Sequence, residues 1–415
     1  MRKETILQFG EGGFLRGFFD WMLEKMHRAG VYDGQAVVVQ PIREGKCRVL
    51  SEHGCRYTHI MRGSEGTEKT EISSISRAFS PYEDYDAYLK LSENPALRFI
   101  VSNTTEAGIS YVAGDTLSDR PPKSFPAKVT ALLWRRYQAG LPGFVFLPCE
   151  LIDRNGDQLK KIVLQYAAEW SLPEAFRSWI EQENTFCCTL VDRIVTGCPR
   201  EEFPEPELEG GLLNTSEYYH LWMIEGAENL FCELPLDRAG LNVILAKNLD
   251  AYRTRKVRIL NGAHTVLVSY AYQKGFQTVG ECLADPEISA FLRRCIFDEI
   301  IPTLELPKQE LEEYAQEVLV RFQNPYIRHQ LSAIALNSVS KFRVRVLPSI
   351  LEYHKRFGRL PEGLTTALHG LVKLYQTDLA NDLPEVTAAL SGHSEQEIFQ
   401  NKNLWGCNLC KELGL

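Results

Sequence analysis

Thr5-Ile6-Leu7-Gln8-Phe9, then Gly10-Glu11-Gly12-Gly13, then the segment from Phe14 to Ala29 decide the fold of this chain. The first stretch reads as a short buried strand and the second as a glycine turn. The third carries apolar residues at 14, 15, 18, 19, 22, 23 and 26, the spacing of one helix face, and Gly30 ends it. Strand, glycine turn and helix together suit a dinucleotide. A phosphate needs close backbone approach, and a helix start offers N–H groups to a pyrophosphate. Gly10 and Gly12 fill the first two places of G-x-G-x-x-G, while the third is Leu15.

Ala36-Val37-Val38-Val39 is a second β-branched run, fit for a parallel strand. The carboxylate that commonly follows such a strand to hold a ribose is absent, and Gln40-Pro41-Ile42-Arg43 stands there instead. Gln40 can bond a ribose hydroxyl and Arg43 can favour a 2′-phosphate, so the residues alone leave NAD and NADP open. Arg98-Phe99-Ile100-Val101 leads into the polar loop from Ser102 to Gly108, which contains Thr105 and Glu106. Gly143 to Leu147 leads into Pro148-Cys149-Glu150. Ligands of α/β sheets sit beyond the carboxyl ends of strands, so both loops are candidate site loops.

From about Tyr252 the pattern changes. Leu311 to Phe322, Ile327 to Val339, Val346 to Tyr353 and Leu364 to Leu374 repeat apolar residues three or four apart. The expected architecture is α/β: an N-terminal Rossmann-type parallel-sheet domain over residues 1–248, then a mostly α-helical substrate-binding domain over residues 249–415. Pro199 to Leu213, rich in Pro and Glu, is expected to be a surface excursion.

Composition narrows the function classes. The 415 residues carry 46 Lys and Arg against 54 Asp and Glu, a net charge of −8, with 44% hydrophobic residues. A mainly disordered chain and a broadly basic nucleic-acid binder are both disfavoured. No run of 18 apolar residues suggests a membrane span. The missing signal-peptide core and eleven scattered cysteines suggest a cytoplasmic protein with free thiols. Cys407-x-x-Cys410 lacks the second ligand pair of a zinc ribbon, and no metal site is expected. Oligomeric state is left open.

The chemistry concentrates in Lys256-Val257-Arg258-Ile259-Leu260-Asn261-Gly262-Ala263-His264. On a regular α-helix Asn261 lies about 140° and His264 about 80° from Lys256, so all three can project toward one side. A lysine desolvated in a cleft can act as a base near neutral pH. Asn and His can donate hydrogen bonds to an oxygen that becomes alkoxide-like. This is equipment for metal-free oxidation of an alcohol. Each residue taken singly also fits a solvated lysine, a capping asparagine and a core histidine. Further polar clusters surround Asp192, in Thr189 to Arg193, and Arg321, His329, Lys341 and Arg343. An anionic substrate needs such cations.

These motifs resemble the polyol-specific long-chain dehydrogenases, the mannitol dehydrogenase family. The resemblance runs through residues 6–16, 102–111, 147–153, 188–197, 256–265 and 321–331, and fades toward the C-terminus. It implies metal-independent hydride transfer with NAD/NADH between a sugar-type carbonyl and its alcohol. By resemblance, Lys256 is the general acid/base, and Asn261 and His264 orient the substrate and polarise its carbonyl. Gly10, Gly12, Phe14 and Arg16 match the cofactor turn, with Gln40, Thr105 and Glu106 as further cofactor contacts. Asp192 is expected to touch substrate. One or more of Arg321, His329, Lys341 and Arg343 are expected to hold a carboxylate. Where the mannitol 2-dehydrogenase branch has an asparagine that helps stabilise the oxyanion, this chain has Leu151. The Cys149-Glu150-Leu151 form looks like the branch that handles hexuronates, which favours a sugar acid over a neutral polyol. A non-catalytic dinucleotide-binding sensor is the alternative of a different class.

Overall fold

The computed structural model describes residues 2–105 and 107–415. The chain divides into two compact units, Met1–Leu249 and Asp250–Leu415. Among the described residues the first unit holds thirteen strands. Six form one parallel sheet: β1 (Lys3–Phe9), β2 (Gly34–Val39), β5 (Ile75–Phe79), β6 (Phe99–Ser102), β7 (Val145–Pro148) and β8 (Thr185–Phe186). Their spatial order is β5-β2-β1-β6-β7-β8. Relabelled by succession within the sheet this is 3-2-1-4-5-6, the doubly wound order of a Rossmann fold, which reverses direction between β1 and β6.

Side chains on these strands alternate between two cores, as the period of two in a pleated strand requires. Ile6, Ala36, Val38 and Val101 face a cluster with Phe18, Phe19, Met22 and Trp222. Leu7, Phe9, Val37, Val39 and Ile100 face another with Tyr88, Phe125, Leu132 and Val163. Both faces are covered, which is why these strands are almost uninterruptedly apolar.

Two smaller sheets complete the unit. One has the order β10-β11-β3-β4, from Val195–Gly197, Asn214–Ser216, Tyr57–Gly63 and Gly66–Ile72. The other is β13-β12-β9, from Val243–Ala246, Leu221–Glu225 and Cys188–Asp192. The stretch from Pro199 to Leu213 is more than a surface excursion. It ends in Leu212 and Leu213, both buried, and its Gly211 carbonyl accepts a 2.9 Å bond from Lys46 Nζ.

The helix expected from Phe14 to Ala29 is broken at Phe18 into Gly13–Gly17 and Phe19–Arg28. The cause lies in the β10-β11-β3-β4 sheet and its approaches. Tyr57 donates its hydroxyl to the Arg16 carbonyl at 2.7 Å, and Arg193 Nη1 donates to the Gly17 carbonyl at 2.7 Å. These carbonyls serve side chains, and the ladder is interrupted there.

The second unit is helical. Lys308–Phe322, Leu347–Phe357 and Glu362–Leu374 are regular helices. The expected helix from Ile327 to Val339 is not continuous. Thr278 and Gln330 form an antiparallel bridge, and only Leu331–Ala335 is helical before Asn337 turns the chain at φ 54°. A separate helix, Ser338–Arg345, follows. Among the described residues no helix is long and apolar enough to cross a membrane. All eleven cysteines are free thiols.

Candidate active site

In the first unit the site is built at the reversal between β1 and β6. Gly10 adopts φ 114°, and a Cβ there would lie 2.7 Å from the Asn103 carbonyl oxygen at the end of β6. Only glycine allows the two strand ends to approach this closely. Gly12 precedes the helix in extended conformation, no side chain caps it, and a Cβ there meets nothing within 4 Å. The first N–H groups of the helix are therefore open to an anion. Phe14 stacks on Phe18 with ring centroids 5.0 Å apart. Leu15, at the place of the missing third glycine, is buried in the core. The close-packing glycine is Gly17, where a Cβ would come within 3.0 Å of Asn214, His59 and Val195.

Arg16 and Gln40 shape this region from within. Arg16 is 2% exposed; its Nε donates to the Glu11 carbonyl at 3.1 Å and its Nη1 to the Leu212 carbonyl. Gln40 is buried, and its amide nitrogen donates to the carbonyls of Ile42 and Arg43 at 2.9 Å each. Its amide oxygen accepts from Cys47 N at 3.3 Å. These bonds order the turn and the loop after β2. Exposed Arg43 lies over the Tyr82 ring at 5.4 Å.

The loops after β6 and β7 are tied together by Glu150. Its buried carboxylate accepts from Ser102 Oγ at 3.0 Å, Thr104 N at 3.0 Å and Thr104 Oγ1 at 2.9 Å. Burial holds its carboxyl above the usual range even so. Sequence reasoning placed Glu150 in a site loop without seeing this role; a carboxylate one step past a buried strand end was the available signal. Thr105 follows, exposed, at φ 71°. Glu106 lies outside the described residues. Leu151 is 61% exposed. Asp192, at the end of β9, is buried.

In the second unit the expected regular helix through Lys256 to His264 is corrected. Lys256–Asn261 is a π-helical turn, and the α-helix starts at Gly262 and runs to Ala271. A π turn closes i to i+5 hydrogen bonds, which brings Asn261 over Lys256 rather than about 140° away from it. Asn261 and His264 are three apart and share a face. A Cβ at Gly262 would lie 3.3 Å from the Arg345 carbonyl oxygen, a tight contact that marks how closely the two segments pack. Lys256 and Asn261 are half-buried and His264 is buried.

The His264 ring packs on Phe322 at 4.3 Å and meets the His329 ring at 4.7 Å. His329 is held by its backbone, which accepts from Val279 N at 3.0 Å. Burial, then the positive charge of Lys341, lowers its pKa. Lys341 donates to the Ile334 carbonyl at 2.9 Å, and burial followed by the charge of Arg345 lowers its pKa. Arg321 is buried in the last turn of Lys308–Phe322, next to Phe322. Arg343 is not brought to this group. It is about 200° around its helix from Lys341. Its guanidinium lies against Gly406, where a Cβ would be 3.1 Å away. Among the described residues no group of three or more His, Cys, Asp or Glu is arranged to hold a metal.

Comparison with known proteins fits this architecture. The Mannitol dehydrogenase Rossmann domain matches residues 4–238 and the Mannitol dehydrogenase C-terminal domain matches residues 248–404. The chain belongs to the mannitol dehydrogenase family. Altronate oxidoreductases of Escherichia coli, from strain 536 and strain IAI39 among others, are 49% identical over 388 residues, 90% of this chain and 80% of theirs. A D-sorbitol dehydrogenase in substrate-free form superposes with a TM-score of 0.83 at 21% identity, over 99% of this chain and 90% of that one. A mannitol 2-dehydrogenase of Pseudomonas fluorescens, in ternary complex with NAD and D-mannitol, gives 0.72 at 21% identity, over 99% and 89%. As a mannitol dehydrogenase family member the chain is an oxidoreductase acting on CH–OH groups.

Proposed function

We propose that this family member interconverts D-tagaturonate and D-altronate with NADH/NAD, without a metal, in hexuronate catabolism in the cytoplasm. The observation that supports the reading is the π-to-α turn carrying Lys256, Asn261 and His264, with the His264 ring 4.7 Å from His329 and the charge of Lys341 acting on His329. The 49% identity to altronate oxidoreductases supports the choice of substrate.

The first unit fits a dinucleotide. Gly12 leaves open space at an uncapped helix start, and Gly10 lets the β1 and β6 ends close on each other. Gly12, Phe14 and the exposed backbone at Thr105 are the proposed contacts, while Arg16 and Gln40 hold the turn in shape. The nicotinamide, when bound, supplies hydride to the keto carbon or takes it back from the alcohol. In reduction, Lys256 gives its ammonium proton to the carbonyl oxygen as that oxygen becomes a hydroxyl. In oxidation, neutral Lys256 takes the hydroxyl proton. Asn261 and His264 donate hydrogen bonds to the same oxygen while negative charge develops on it. Lys341 and His329 face the anionic end of the sugar acid, and Asp192 and Arg321 are further proposed substrate contacts.

Loss of NADH absorbance, measured in EDTA with tagaturonate, fructuronate and fructose side by side, tests the reading. Rapid loss with tagaturonate alone is the expected result. Preference for fructuronate would keep the mechanism and change the substrate. NADH binding without turnover of any of the three would favour the sensor.

A further inference from the structure

Arg345 ends the helix Ser338–Arg345, one turn beyond Lys341. Residues four apart on a helix are neighbours on one face, whereas Arg343 points away from both. The helix packs on Lys256–Asn261 and Gly262–Ala271, with the Arg345 carbonyl against Gly262 of the Lys-x4-Asn-Gly-x-His segment. Arg345 is half-buried, and among the described residues its guanidinium has no hydrogen-bond or ion-pair partner. Burial alone lowers its pKa, with no carboxylate opposing the effect.

Its neighbours do not neutralise it. The acid that acts on Lys341 is Asp382, whose oxygens already accept from the Tyr375 hydroxyl and from Leu383 N at 2.9 Å. Arg258, also half-buried, donates to the Val344 carbonyl. A half-buried guanidinium with no carboxylate beside it, its nitrogens still reachable from solvent, can take up an anionic ligand. A carboxylate matches its fork with two parallel bonds, and a neutral hydroxymethyl end does not.

We propose that Arg345 is the specificity-determining residue of the site: its guanidinium, assisted by Lys341, takes the carboxylate of the sugar acid. This rests on the hexuronate reaction proposed above. The test compares Arg345→Ala with Arg343→Ala, which alters a cation outside the site. Read-outs are KM and kcat for tagaturonate, NADH affinity by fluorescence, and melting temperature. Arg345→Ala should raise KM about 10–100-fold, the scale of a lost charged hydrogen-bond pair, with kcat and NADH affinity near wild type. Added guanidinium ion should restore part of the loss, and Arg345→Lys should fall between. Arg343→Ala should leave KM unchanged. Equal effects at 343 and 345, an unchanged KM at 345, or parallel loss of kcat, NADH affinity and melting temperature in both Arg345 variants would overturn the assignment. A wild-type enzyme silent on every hexuronate refutes the reaction itself. An active wild type whose Arg345 variants keep its KM refutes only the role of Arg345.

Discussion

The rings of His264 and His329 lie 4.7 Å apart with their planes at 70°. Burial and then Lys341 keep the His329 pKa below the ordinary histidine range, so the ring is mostly neutral across that range and takes a proton in more acid solution. KM for an acidic substrate should therefore hold level across that range and fall on the acid side, where His329 adds positive charge. A KM profile against pH for wild type and His329→Asn checks this, because the substitution should abolish the acid-side change.

Lys256 stands at the start of the π turn, five residues before Asn261. Lys256→Ala should lower kcat by about 10²–10⁴-fold, the usual contribution of a positioned acid/base, while NADH binding persists. Turnover close to wild type in a folded variant would remove Lys256 from the mechanism.

Gly10 and Gly12 are two apart but should respond differently. Gly10→Ala forces φ 114° on a side chain and drives it against the Asn103 carbonyl, so a loss of about 1–3 kcal/mol in stability is expected. Gly12→Ala meets nothing in the chain and should change stability by less than about 0.5 kcal/mol. Its cost should appear instead as weaker NADH binding, since the new methyl group would occupy the space proposed for the cofactor. Urea unfolding and NADH titration of both variants separate the two effects.

Asp20 is wholly buried, and burial pushes its carboxyl up to about 7 although Tyr57 donates to Oδ2 at 3.1 Å and the Arg16 charge opposes the shift. An unfolded aspartate titrates near 3.9, so between about pH 4 and pH 7 the folded chain holds a proton that the unfolded chain has lost. Asp20 therefore costs stability as pH rises through that window, and the cost levels off above about 7. Asp20→Asn, which cannot ionise, should gain melting temperature relative to wild type as pH rises from about 4 to 7. Parallel curves would show that Asp20 does not titrate there.

Much of the fold was legible because its signals are local. Residues 5–9 and 36–39 are apolar on both faces, and Gly10 and Gly12 mark the turn between strand and helix. The departures come from groups distant in sequence. Nothing in residues 14–29 announces that Tyr57 and Arg193 will take the carbonyls of Arg16 and Gly17. Nothing in residues 327–339 shows that the backbone at His329 and Gln330 will pair with residues 277–279. The site was legible as a set of residue types and only partly as geometry. The sequence reading names Arg343 and passes over Arg345; the helix phase relative to Lys341, two residues before the one and four before the other, was the signal able to rank them. A π turn leaves no mark in hydrophobic spacing, so residues 256–261 read as regular α-helix.

The break at Phe18 also bears on modularity. The cofactor turn belongs to the parallel sheet, yet its helix is anchored by Tyr57 and Arg193, with Asn214 donating to the Gly13 carbonyl at 2.9 Å. Transplanting the strand-turn-helix segment alone into another scaffold would leave those carbonyls seeking their usual helical donors, and the helix would straighten. A functional graft must carry residues 57–72 and 193–216 with it, so the smallest exchangeable piece of this chain is larger than its nucleotide motif.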